Sequence, residues 1–347
     1  MRSVICGMLL GFAVCAAPAA AAACPPNPDL RFRVPESVSR PAAEKLCALY
    51  AAAQARPPMP PLKTLEDFDR MNAVIEAQAV PASQQFADAM HVRSVRETIG
   101  GVSILRIVPP NARPGRPPLV YIHGGGYIVL SARSTQVLPA LLGKALRREV
   151  ISIDYTLAPR GNVNTISDQV IAVWRALLAS GHDPQAMGLF GDSAGGNMAA
   201  AFTLKMRDQA VPLPGALYLL SPGADLTMSG DTVATLGPYD PMLQPQNFIT
   251  YLNAYAAGTD VRHPYISPLF GDYSKAFPPT LIQAGTRELL LSEAVRQYQA
   301  IRGGGHEAVL DLYEGMPHVF PAMLPNTPES DTAISRAATF FEEHLRK

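Results

Sequence analysis

Residues 190–197 read Phe190-Gly191-Asp192-Ser193-Ala194-Gly195-Gly196-Asn197. Within that run, Gly191-x-Ser193-x-Gly195 is the pattern of a sharp strand-to-helix turn, a nucleophile elbow. It lifts a serine hydroxyl clear of a sheet at the cost of a strained backbone. The residues two before and two after the serine crowd each other, so both positions want glycine. The flanks fit. Residues 186–190 form a short apolar, strand-like run, and Met198 to Met206 is a helix former almost free of breakers. The bland reading, a chance match to a short glycine pattern, is weakened by having strand before and helix after.

A second glycine cluster narrows the choice. Leu119-Val120-Tyr121-Ile122 reads as a buried strand and runs into His123-Gly124-Gly125-Gly126, 70 residues ahead of Ser193. Three glycines after a strand leave backbone N–H groups free to point at a ligand oxygen, as an oxyanion hole requires. An isolated Gly-Gly-Gly is more often a flexible turn. Two such motifs at this spacing make that reading of both improbable.

Charge excludes some functions. Lys+Arg and Asp+Glu both number 29, so the formal charge is +0. With no basic stripe and no acidic tail, neither nucleic acid nor an anionic membrane surface is an implied partner. At the N-terminus, Arg2, the apolar stretch from Val4 to Val14, and the small residues Ala16 to Ala23 have the layout of an export signal. That apolar stretch is too short to span a membrane. Residues 1–23 are therefore read as a leader and the mature chain as exported, periplasmic or secreted. Its two remaining cysteines, Cys24 and Cys47, favour a disulfide. The alternatives are a lipid anchor on Cys24, in a weak lipobox, and Cys47 as a small buried hydrophobe. No cysteine–histidine cluster calls for a metal, and no motif calls for a cofactor.

Along the chain, residues 25–34 form a Pro-rich tether and Pro41 to Ala55 a helix. Thr64-Leu65-Glu66-Asp67 then opens a second helix with a capping box. A half-exposed strand at 102–108 is followed by apolar runs at 118–122, 149–153, 186–190, 216–220, 280–283 and 307–313. Helical patterns at 137–146, 166–179 and 292–301 alternate with them, the last stopped by Gly303-Gly304-Gly305. Such alternation predicts a mostly parallel sheet flanked by helices. Residues 222–262, rich in Pro and Gly and with a helical piece at 245–257, read as an insertion. The expected division is a tether with cap helices at 24–100 and a catalytic domain at 101–347, carrying a cap insertion around 222–262.

A serine nucleophile on such a turn needs a base and an acid, in the chain order Ser, acid, His. Of seven histidines, His318 lies in a loop after the last strand. His91, His182, His263 and His306 have no such placement. The acid should follow strand 280–283, where Glu288 stands. Glu293 is the rival, several residues into the next helix.

Residues 102–320 resemble the hormone-sensitive-lipase-like esterases of the α/β-hydrolase fold. The matching residues are His123-Gly124-Gly125-Gly126, Asp154-Tyr155-x-Leu157-Ala158-Pro159, Gly191-Asp192-Ser193-Ala194-Gly195-Gly196-Asn197, Ser221-Pro222 and Gly315-Met316-x-His318-x-Phe320. The resemblance implies Ser193 as nucleophile, His318 as base, oxyanion donors at the N–H groups of Gly125, Gly126 and Ala194, and a helical cap. It implies an ester substrate, short-chain by family habit. An amide or lactone hydrolase, or a ligand-binding member without catalysis, are the alternatives. Oligomeric state, a homodimer included, is left open. Two departures stand out. Where the family shows Asp-Pro-x-x-Asp in the acid loop, this chain reads Arg287-Glu288-Leu289-Leu290-Leu291-Ser292-Glu293, with Glu288 30 residues before His318. Its Asp-Tyr-Arg-Leu-Ala-Pro-Glu becomes Asp154-Tyr155-Thr156-Leu157-Ala158-Pro159-Arg160, which is expected to lose an ion pair beside that loop.

Overall fold

The computed structural model describes residues 33–55, 59 and 61–346. The leader, the tether up to residue 32 and Cys24 lie outside them. The chain runs α1 (Arg40–Ala55), α2 (Leu65–Ala89), β1 (Arg93–Ile99), β2 (Val102–Val108), β3 (Leu119–Ile122), α3 (Val137–Leu146), β4 (Val150–Ile153), α4 (Val163–Ala179), β5 (Gly188–Asp192) and α5 (Ala194–Asp208). It continues through β6 (Ala216–Leu220), α6 (Asp231–Thr235), α7 (Pro245–Ala256), β7 (Thr280–Gly285), α8 (Leu291–Gly303), β8 (Ala308–Tyr313), α9 (Phe320–Met323) and α10 (Pro328–His344).

These strands form one eight-stranded sheet in the order β1-β2-β4-β3-β5-β6-β7-β8. Pairing from β4 across to β8 is parallel, and β2 is antiparallel to both β1 and β4. The central strands are buried on both faces, as a sheet covered by helices requires. Alternate side chains serve opposite layers. Val120 and Ile122 pack with α4 and α5. Leu119 and Tyr121 pack with α3 and α10. This is the mostly parallel, helix-flanked sheet expected from the strand–helix alternation, and the fold that the family resemblance implies.

Strand β1 was not expected. Its sequence Arg93-Ser94-Val95-Arg96-Glu97-Thr98-Ile99 is charged and largely solvated, as suits an edge strand that must not recruit another chain. The Gly100-Gly101 turn that joins it to β2 has positive φ at both residues, 58° and 79°, the requirement of a two-residue hairpin.

Two N-terminal helices brace the parts that carry the site. Helix α2 starts with a complete capping box between Thr64 and Asp67. It holds the loop after the triple glycine: Leu130 N–H donates to Asn72 Oδ1 at 2.8 Å, and Ser131 Oγ donates to Glu76 Oε2 at 2.8 Å. Arg160, which stands where the family has glutamate, makes a different ion pair, to α2. Its guanidinium donates to both Asp69 carboxylate oxygens on α2, at 3.2 and 2.6 Å. Both side chains are exposed, so the pair fixes register more than it adds stability. Helix α1 buries Leu46 and Tyr50 against Met316 and Phe320, which flank His318. Cys47, on α1, is disulfide-bonded, and its partner lies outside the described residues.

Candidate active site

Ser193 sits between β5 and α5 with φ 55° and ψ −123°, a conformation costly for a residue with a side chain. The neighbours explain how it is held. A Cβ on Gly191 would lie 2.4 Å from the Gly195 carbonyl carbon, and one on Gly195 would lie 2.0 Å from the Ile122 carbonyl oxygen. The elbow is thus wedged against the end of β3. Ser193 N–H is satisfied by the Leu220 carbonyl at 2.8 Å.

The loops after β7 and β8 bring the other two groups to the serine. His318 Nε2 lies 2.8 Å from Ser193 Oγ, and His318 Nδ1 lies 2.6 Å from Glu288 Oε2. A carboxylate only accepts, so Nδ1 carries the proton and Nε2 faces the hydroxyl as an acceptor. Glu288 is fully buried, His318 nearly so, and Ser193 only partly. The open side of the triangle is therefore the hydroxyl. Burial by itself would lower the His318 pKa. The Glu288 hydrogen bond and charge, with the charges of Asp240 and Asp192, outweigh it and hold the imidazole above its ordinary range.

Glu288 is itself supported. Its Oε1 accepts Gly285 N–H at 2.7 Å and Ser221 Oγ–H at 2.9 Å. Ser221 Oγ in turn accepts Val319 N–H at 3.0 Å. One hydroxyl at the end of β6 therefore ties the acid loop to the histidine loop. The sequence presents Ser221-Pro222 only as part of a family resemblance. The linking role follows from the adjacency of β6 and β7, which no local pattern encodes.

Glu293, the rival acid, is not bonded to His318. In the first turn of α8 its Oε2 accepts the N–H groups of Ala224 and Asp225 at 2.6 and 3.0 Å, bracing the segment that follows Ser221. Burial pushes its carboxyl up to about 8.

The triple-glycine loop faces the elbow. A Cβ on Gly124 would lie 3.1 Å from the Ser193 Cβ. Gly125 and Gly126 both have positive φ, 109° and 57°. Among the described residues, the N–H groups of Gly125, Gly126 and Ala194 donate to no protein acceptor. The loop is tied to the elbow through Asp192, whose Oδ1 accepts Tyr121 O–H and, at 3.2 Å, Gly124 N–H. His123 is buried and kept neutral by desolvation. Its ring stacks on Tyr155 at 4.2 Å, and Tyr155 O–H donates to the His123 carbonyl at 3.0 Å. Helix α7 covers the loop from above: the Tyr255 ring stacks on Tyr127 at 3.9 Å, and the Tyr251 ring lies 3.2 Å from where a Gly126 Cβ would be.

A parallel sheet with a strained serine after its central strand, and an acid and a histidine after the next strands, is the arrangement of one enzyme superfamily. The chain belongs to the alpha/beta hydrolase fold family, matched over residues 119–322, and within it to the hormone-sensitive-lipase-like branch. It is 35% identical to an acetyl-hydrolase of Streptomyces hygroscopicus over 67% of this chain and 77% of the relative. It is 30% identical to an esterase of Acinetobacter venetianus over 64% of this chain and 73% of that one. A solved esterase of the bacterial hormone-sensitive lipase family superimposes with a TM-score of 0.78 at 29% identity, covering 89% of this chain and 99% of the other.

Proposed function

We propose that the protein is an exported serine carboxylesterase that hydrolyses short-chain acyl esters through an acyl-enzyme. The observation that carries this reading is the unbroken run from Ser193 Oγ to His318 Nε2 and from Nδ1 to Glu288. His318 takes the Ser193 proton as the oxygen attacks the ester carbonyl. The negative charge that develops is met by the N–H groups of Gly125, Gly126 and Ala194. His318 then protonates the departing alcohol, and water, activated by the same imidazole, releases the acid. Glu288 holds the Nδ1–H tautomer and stabilises the imidazolium. A non-catalytic, ligand-binding role is disfavoured because every member of the relay is present and hydrogen-bonded.

A short acyl group is supported by the names of the relatives, acetyl-hydrolase among them, and by the close approach of α7 to Gly126. On purified protein, kcat/KM should be highest for p-nitrophenyl acetate and butyrate and fall steeply towards the octanoate and dodecanoate. A flat or rising series would remove the short-chain assignment. Turnover of simple lactones with none of the nitrophenyl esters would favour the lactonase alternative.

Export is supported by the layout of residues 1–23, and the disulfide-bonded state of Cys47 suits an oxidising compartment. Cys24 is the partner we assign to Cys47. This cross-link would pin the tether to α1 and stabilise by about 2–4 kcal/mol. Intact mass of protein from its native host should lack the leader and two hydrogens relative to the reduced chain. A diacylglyceryl mass on Cys24, or two free thiols, would exclude the bond. Among the described residues no helix is long and apolar enough to cross a membrane.

A further inference from the structure

The acid loop departs from the family pattern, and the departure has a counterpart in the insertion after β6. Where the family carries Asp-Pro, this chain carries Glu288-Leu289. Proline has no N–H. Leu289 has one in a buried position, where it must find an acceptor. The acceptor is Asp240, whose Oδ2 takes the Leu289 N–H at 2.8 Å. Its Oδ1 accepts the N–H groups of Met242 and Leu243 at 2.8 and 2.9 Å, an Asx-type turn that fixes the carboxylate's own direction. A glutamate also has one more rotatable bond than the family's aspartate, so the loop beneath it must be held more firmly to aim the carboxylate.

We propose that Asp240 is a positioning residue for the triad: through the Leu289 N–H it keeps the Glu288 loop in register beneath His318. The proposal rests on the hydrolase reading above. Three carboxylates bear on His318: Glu288 after β7, Asp240 from the insertion and Asp192 at the end of β5. Asp192 is engaged by Tyr121 and Gly124. Tyr50 on α1 and Arg287 share the surroundings of Asp240. Burial pushes the Asp240 carboxyl up, while the His318 charge and the N–H groups of Leu243, Leu289 and Met242 favour its ionised form. Removing that charge makes the imidazolium less favourable, so His318 is expected to titrate at lower pH.

The test uses the full chain with Asp240→Asn, and with Asp240→Glu as the conservative variant. Asparagine keeps the Asx-type turn through its carbonyl but turns an amide towards the Leu289 N–H and carries no charge. On p-nitrophenyl acetate, Asp240→Asn should lower kcat about tenfold with KM within about twofold. The acid limb of kcat/KM should move to lower pH by about half a unit, and Asp240→Glu should restore most of that shift. In parallel, the downfield Nδ1–H proton resonance of His318 reports its titration whether or not an ester is turned over. A wild-type protein inert towards esters would thus count against the functional reading, while the His318 titration still judges Asp240. An unmoved titration in Asp240→Asn overturns the proposal. So does a kcat loss matched by a fall in Tm with no shift of the acid limb, which would mark Asp240 as structural support alone.

Discussion

Ser193→Ala is expected to lower kcat on p-nitrophenyl acetate by about 10⁴–10⁶-fold and to leave Tm nearly unchanged. The two halves of that expectation have separate causes. Among the described residues the hydroxyl makes one side-chain hydrogen bond, to His318, so deleting it removes the proposed nucleophile and little packing. The strained backbone is held by contacts that do not involve the hydroxyl: Gly191 against Gly195, Gly195 against Ile122, and Ser193 N–H on the Leu220 carbonyl. Alanine inherits them all. Measured by steady-state kinetics and a thermal melt, a variant keeping more than about a tenth of wild-type activity would remove Ser193 as the nucleophile. A large fall in Tm would mean that the hydroxyl also supports the fold.

Glu288→Gln should cost roughly 10³–10⁴-fold in kcat, and Glu293→Gln less than about threefold at pH 7. Glutamine at 288 can turn its amide towards Nδ1 and favour the wrong imidazole tautomer, leaving Nε2 unable to accept the Ser193 proton. At 293 the same change is conservative. Burial pushes that carboxyl up to about 8, so at pH 7 its neutral form dominates, and a glutamine oxygen can still accept the Ala224 and Asp225 N–H groups. The pH dependence separates them further. The raised Glu293 pKa means that its contribution to stability is present below the unfolded value near 4.3 and is lost as pH rises through about 8. Glu293→Gln should therefore flatten the Tm-against-pH curve over that window. Comparable small kinetic losses from both variants would place the triad acid elsewhere, and the reverse ranking would move it to Glu293.

The places of Ser193, the triple glycine and His318 are legible in the sequence because each depends on a local turn. Glycines at 191 and 195, at 124–126 and at 315 are demanded by backbone geometry within a few residues of where they stand. Helix α2 is legible at Thr64 for the same reason. Other features have no local signature. Ser221 bridges the acid and histidine loops only because β6 lies beside β7, and Asp240 meets Leu289 across 49 residues of chain. Arg160 reads as a lost ion pair when compared with its own loop, yet its partner Asp69 is 91 residues away. Strand β1 escapes a hydrophobic-pattern reading because an edge strand is selected to look unlike a buried one, although the Gly100-Gly101 turn marks its end.

His318 stands 125 residues after Ser193, and Glu288 30 residues before His318. During synthesis the elbow and the glycine loop emerge first, on strands from the middle of the finished sheet. The groups that make the serine reactive arrive last, on β7 and the loop after β8, at the sheet's far edge. A growing chain that has completed β5 and α5 therefore presents the Ser193 hydroxyl before its hydrogen-bond partner His318 has been made. On the proposed mechanism, the relay is complete only once the edge strands dock.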